Sequence, residues 1–72
     1  MGMKELKRTN ITECDKGTLL HYENGKPAGI LISKEYVELE RGGWPHWLWM
    51  LSILSTEGTY FDIGLGEHDL FF

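Results

Sequence analysis

The sequence predicts a small α+β domain, with a β-hairpin over residues 18–33, a short helix over 34–41 and a second hairpin over 47–65. Three observations lead there. "TLLHYE" and "PAGILIS" are β-prone runs of strand length on either side of Asn24-Gly25, the dipeptide best suited to a tight hairpin turn. "SKEYVELERGG" carries helix start and stop signals at its two ends. Glu57-Gly58 then sits as a two-residue turn between apolar, β-prone flanks.

Taken in order, residues 1–10 read as a flexible arm, and "TNITECDKG" ends in a turn-like Asp-Lys-Gly that leaves room for a short edge strand. In the first strand Thr18, Leu20 and Tyr22 share one face, and Leu19 and His21 share the other. Asn24 and Gly25 both tolerate positive φ. Pro27 cannot donate to a ladder and belongs at the start of its strand or on an edge. In the helix, Ser33 is placed to cap free amides, Glu35 lies where the dipole favours an acid, Arg41 lies in the last turn, and Gly42 can close it in left-handed geometry. Tyr36, Val37 and Glu40 recur at helical spacing. "YVELE" also alternates as a strand would, but helix is the preferred reading. In the second hairpin, pairing Thr56 with Thr59 sets Leu54 opposite Phe61 and Ser52 opposite Ile63. The rival is a helix over residues 45–55 with Pro45 at its first position, because "WLWMLSIL" is apolar on every face and periodicity does not arbitrate. Residues 66–72 read as a flexible tail with an apolar tip.

At 72 residues the chain makes one domain. A domain of this size buries only about 60% of its unfolded surface and needs a supplement to its core. Cys14 is the only cysteine, which excludes an intrachain disulfide and agrees with a reducing cytoplasm. His21, His46 and His68 have no short ligand spacing, so no metal is expected. Cys14 and His21 lack an orienting third group, and "DIGLGE" lacks the lysine and following helix of a phosphate loop. These absences predict a protein that is not an enzyme and holds no cofactor. The longest apolar stretch falls well short of the ~20 residues of a membrane span, and "MGMKELKRTN" has no apolar signal core. With a net charge of −4, and with Lys4, Lys7 and Arg8 as the only basic cluster (interrupted by Glu5), direct nucleic-acid binding is disfavoured.

Residues 18–39 carry a local likeness. "NGKPAGILISKEYVEL" resembles the hairpin-helix core of prevent-host-death family antitoxins: Gly25, Lys26 and Pro27 match the turn, Ala28 and Ile30 to Ser33 the strand, and Glu35, Tyr36 and Leu39 the helix. The rest of the chain does not match. "MKELKRTNITECDKG" has no counterpart of that family's N-terminal strand and long helix, so no DNA-contacting residue is carried over. The resemblance implies a local fold and a small regulatory protein, with an antitoxin-type DNA-binding transcriptional repressor as the alternative function.

The strongest remaining signal is the aromatic cluster Trp44, Trp47 and Trp49, beside the acidic Glu35, Glu38 and Glu40. Three tryptophans so close together cannot all be hidden in one small core, and tryptophan is enriched at binding hot spots. These six residues form the expected partner-binding site. The expected function is to bind and neutralise or inhibit a partner protein, such as a basic nucleic-acid-binding protein or toxin. A homodimer through the tryptophan segment would supply the missing burial.

Overall fold

Glycine turns divide this chain into antiparallel strands. The computed structural model describes residues 3–72, with β1 at Leu19–Tyr22, β2 at Pro27–Arg41, β3 at Trp44–Ser55, β4 at Tyr60–Gly64 and β5 at Leu70–Phe71. They form one antiparallel sheet in the order β4-β3-β2-β1-β5. The only helical turn among the described residues is the 3-10 turn Ile11–Glu13. The α+β expectation is therefore overturned.

The helix expected over 34–41 is the second half of β2. Its end signals are real but serve a different structure. Gly42 and Gly43 take φ values of 58° and 82° and close a two-residue hairpin in which Arg41 faces Trp44. That is the geometry two-residue hairpins favour, because its twist matches the strands. An eight-residue helix would be marginal by itself, whereas strand conformation pairs the whole segment with β3. The rival helix over 45–55 is excluded by the same ladder. Pro45 sits opposite Glu40, where no strand lies on the far side of β3, so its missing N–H interrupts nothing.

The other two turns are three-residue loops. In the first, Gly25 N–H donates to the Tyr22 carbonyl (2.9 Å) and Tyr22 N–H to the Lys26 carbonyl (2.8 Å). Gly25 has φ 84°, and Asn24 keeps a negative φ while its Oδ1 accepts from Lys26 N–H at 3.0 Å. The expected pair of positive-φ residues is thus corrected to one. In the second, Gly58 N–H donates to the Ser55 carbonyl (3.0 Å) and Ser55 N–H to the Thr59 carbonyl (2.7 Å). Pairing Ser55 with Thr59 moves the register one residue from the expected one: Leu54 faces Tyr60 and Ser52 faces Asp62, while Ile53 faces Phe61 and Leu51 faces Ile63. A one-residue slip exchanges the two faces of a strand. The observed register is the one that puts Leu51, Ile53 and Ile63 together in the core.

One face of the sheet is covered. Leu20, Ala28, Leu31, Leu51, Ile53, Ile63 and Leu70 are buried there beneath Leu6, Ile11 and Cys14 of the N-terminal segment. Of the arm expected over residues 1–10, residues 1 and 2 lie outside the described residues. Lys4 and Phe72 exchange N–H to carbonyl bonds at 2.8 Å, and Leu6 N–H donates to the Leu70 carbonyl at 2.7 Å. Residues 4–6 thus run beside β5, which occupies part of the segment read as a tail. The Lys34 ammonium donates to the carbonyls of Ile11 (3.0 Å) and Cys14 (2.8 Å), fastening this cover to β2. These are charge-assisted bonds, stronger than neutral ones.

Two irregularities shape β2. Ala28 is an extra residue opposite the Leu20/His21 step of β1, and Ile32 is an extra residue opposite the Ser52/Ile53 step of β3. Such bulges bend the strand and increase its twist. Gly29, between them, has φ 148°, and a Cβ there would lie 2.8 Å from Ile53 Cγ2 and strike the Leu54 carbonyl. Gly25 has open space around it. Gly29→Ala should therefore cost about 3 kcal/mol, against about 1 kcal/mol for Gly25→Ala, in urea unfolding of the two variants.

Burial raises the Cys14 thiol pKa above its ordinary value of 9.0, against smaller opposing effects of a Thr18 hydrogen bond and the Lys34 charge. A group whose pKa is raised by folding contributes stability below its unfolded value and loses that contribution as pH rises through the folded value. Urea midpoints followed across pH 9.0 should therefore fall more steeply for the parent than for Cys14→Ala.

Candidate functional site

Beyond the core, β2 and β3 continue as a two-stranded arm. β4 pairs with β3 only from Met50 to Leu54, and β1 pairs with β2 only from Pro27 to Ile30. Residues 33–41 and 44–49 consequently form a ribbon closed by Gly42-Gly43, in a molecule whose longest dimension is 41 Å.

Side chains alternate across this ribbon. Lys34, Tyr36, Glu38 and Glu40 share the core-facing side with Trp47, Trp49 and Leu51, and Glu35, Val37, Leu39 and Arg41 share the other side with Trp44, His46, Leu48 and Met50. On the first side Tyr36 lies at the centre of an aromatic cluster. Its ring stacks on Trp47 (centroids 5.3 Å apart, planes at 20°) and meets Trp49 at 5.2 Å and 47°. Trp49 packs against the core, whereas Trp47 is 53% exposed and Tyr36 43%. Glu38 is directly opposite Trp47, and Glu40 lies beyond it toward the turn. Among the described residues the ion pairs involve other acids (Glu5, Glu13 and Asp15), so Glu38 and Glu40 face solvent without a cation.

Of the six expected site residues, the fold brings Trp47, Trp49, Glu38 and Glu40 together on one face. It does not bring the other two. Trp44, 73% exposed, projects from the opposite side beside Arg41, and Glu35 lies on that side opposite Met50. Tyr36 joins the cluster instead. Its alternation with Glu38 and Glu40 is the sequence signal for this face, and the helical reading of the segment hid it.

The opposite side is also apolar in part. Leu39, Leu48 and Met50, with Leu65, line an open groove of about 420 Å³ bordered by Arg41, His46 and Glu67 and reached by Trp47 at its margin. Among the described residues no three His, Cys, Asp or Glu side chains converge as a metal site would require. His68 and Asp69 line a separate shallow hollow with Tyr22, Glu23 and Asn24. No helix among the described residues is long and apolar enough to cross a membrane. No protein-family model, curated protein or solved structure matches this chain.

The geometry separates structural from surface aromatics. Tyr36→Ala removes both ring contacts and should destabilise the fold by about 1–2 kcal/mol. Trp44→Ala, which removes an exposed side chain, should stay within about 0.5 kcal/mol of the parent. Denaturant titrations of the two variants by tryptophan fluorescence check the contrast.

Proposed function

We propose that this chain is a non-enzymatic regulator that binds a basic partner protein through the Tyr36–Trp47–Trp49 face of its arm and neutralises or inhibits it. The observation that carries this reading is the juxtaposition of half-exposed stacked rings with Glu38 and Glu40, which have no cation of their own, on a ribbon projecting past the core. Tyrosine and tryptophan offer large contact area at low rotamer cost and predominate at binding hot spots. An arginine or lysine from the partner placed over Trp47 meets an aromatic face and two carboxylates at once. The overall charge of −4 adds long-range attraction for such a partner. A nucleic-acid-binding protein, or a toxin that acts on nucleic acid, would present such a basic surface. The unbridged, buried Cys14 is in keeping with a cytoplasmic setting.

The alternative of a DNA-binding repressor rests on Lys4, Lys7 and Arg8. Lys4 is paired with Glu13 and Lys7 with Glu5, both at 3.2 Å, so the acids beside them already take up part of that charge. No structural observation favours this reading over the first.

Affinity capture from a lysate of the source cells, with the parent and two variants, tests the proposal. A saturable, salt-sensitive capture of one basic protein is expected, reduced roughly tenfold or more by Tyr36→Ala with Trp47→Ala and unaffected by Trp44→Ala. If no protein is retained saturably at physiological salt, or if the two variants behave alike, the reading is wrong.

A further inference from the structure

The arm has two free edges, and they are not equivalent. Pro45 occupies the edge of β3 near the turn and removes a donor there. The edge of β2 from Lys34 to Glu40 carries no proline or glycine and no bulge. Its unpaired groups can be identified. The Trp49 carbonyl accepts from Leu65 N–H on the far side of β3 (2.8 Å), so the Tyr36–Trp49 pair is one in which neither backbone points at the other. The N–H and carbonyl groups of Lys34, Tyr36, Glu38 and Glu40 therefore point outward from β2. Those of Ser33, Glu35, Val37, Leu39 and Arg41 point at β3. The two-residue turn pairing Arg41 with Trp44 gives the same assignment from the other end.

From this the geometry points to a symmetric homodimer in which the β2 edges of two copies pair antiparallel about Val37, joining the two arms into a four-stranded ribbon. Strand self-pairing about a two-fold axis is limited to registers in which outward groups meet outward groups. A pairing centred on Glu38 puts that carboxylate against its own copy. A pairing centred on Tyr36 drives Arg41 against Leu31, whose N–H and carbonyl already bond Thr18 and Gly17 (2.9 and 2.8 Å). Centring on Val37 pairs the full span from Ser33 to Arg41. It sets Lys34 against the partner's Glu40, twice by symmetry, and Tyr36 against the partner's Glu38, with no like charges directly opposite. Opposed charges across a strand pair are stabilising and like charges are not. Glu35 gains the partner's Arg41 on the diagonal. Along the paired strands the closest like-charge approach is Glu38 to its own copy, also diagonal; the Lys34 ammonium offered to the partner's Glu40 is shared with Asp15 at 3.9 Å and with the Ile11 and Cys14 carbonyls.

The same register joins apolar surface. Val37 meets the partner's Val37 on the side opposite the aromatic cluster, and Leu39, Leu48 and Met50 of both copies extend that strip. Two-stranded ribbons are marginal alone and gain independent stability with further strands. The pairing therefore supplies what each arm lacks. The aromatic faces of both copies stay open on the other side, so the dimer interface lies on the β2 edge and not on the tryptophans. The pairing gives Glu40 a cation from the other copy, so in the dimer the open part of the proposed binding face is Tyr36, Trp47 and Trp49 with Glu38.

Sedimentation at micromolar concentration and a cysteine cross-link test this directly. At the two-fold axis Val37 and its copy form a non-hydrogen-bonded pair with Cα atoms about 4.5 Å apart, within the range a disulfide spans. In a Cys14→Ala background, Val37→Cys should oxidise to a covalent dimer roughly tenfold or more faster than Leu39→Cys, whose copies lie several residues apart in this register. Sedimentation of the parent should show a dimer, weakened by Glu40→Lys, which sets lysine against Lys34 twice. A monomeric parent overturns the proposal. So does a dimer in which Val37→Cys cross-links no faster than Leu39→Cys, since the contact would then lie elsewhere.

Discussion

The structure depends on the pairing of β2 with β3. That ladder converts the segment from Ser33 to Arg41 into a strand, gives the tryptophan-rich segment a partner, and carries Leu31, Leu51 and Ile53 into the core at one end while leaving the arm free at the other. It is closed by two glycines whose left-handed backbone suits a two-residue turn. Every other strand is added to this pair: β4 along β3, β1 along β2, and β5 along β1.

The fold was legible where local and long-range preferences agree. Strand-length runs around Asn24-Gly25 and Glu57-Gly58 read as hairpins because turn residues and β-prone flanks point the same way. Their details were not legible. Each loop holds three residues with one left-handed glycine, and a choice between two- and three-residue loops shifts register by one position without changing composition. Residues 34–41 failed for a different reason. Ser, Lys, Glu, Leu and Arg are all acceptable in a helix, and the competing interaction, a ladder to β3, lies outside any local window. Gly42-Gly43 was the available clue, since a glycine pair between two alternating segments is itself a hairpin signal. The site followed the same pattern. Aromatic and acidic composition indicated the region, but sorting Trp47 from Trp44 and Glu38 from Glu35, and including Tyr36, needed the strand parity that the helical reading discarded.

Lys34 joins the root of the arm to the N-terminal cover. Its backbone belongs to the root of the arm, and its ammonium holds the carbonyls of Ile11 and Cys14 in the segment that covers the core. The Ile32 bulge lies just before it, so the bend of β2 and the docking of the N-terminal cover occur at neighbouring residues. The direction in which the arm leaves the core is therefore set by packing at its root, and the arm presents its aromatic face on the same side as the covered core.

The bonds between Lys4 and Phe72, and between Leu6 and Leu70, have a consequence for biogenesis. They join residues near the two ends of the described chain, so this edge of the sheet cannot form until Phe72 has been synthesised and released from the exit tunnel. The β2–β3 hairpin, made of residues close in sequence, can assemble earlier. A nascent chain halted after β4 would lack Leu70 from the buried cluster, with its N-terminal segment lacking the strand it pairs with. Nonlocal closure of this kind is slow and open to association with other chains. Residues 70–72 therefore act as the latch of the domain, and a translation system that stalls shortly before them would leave an aggregation-prone sheet.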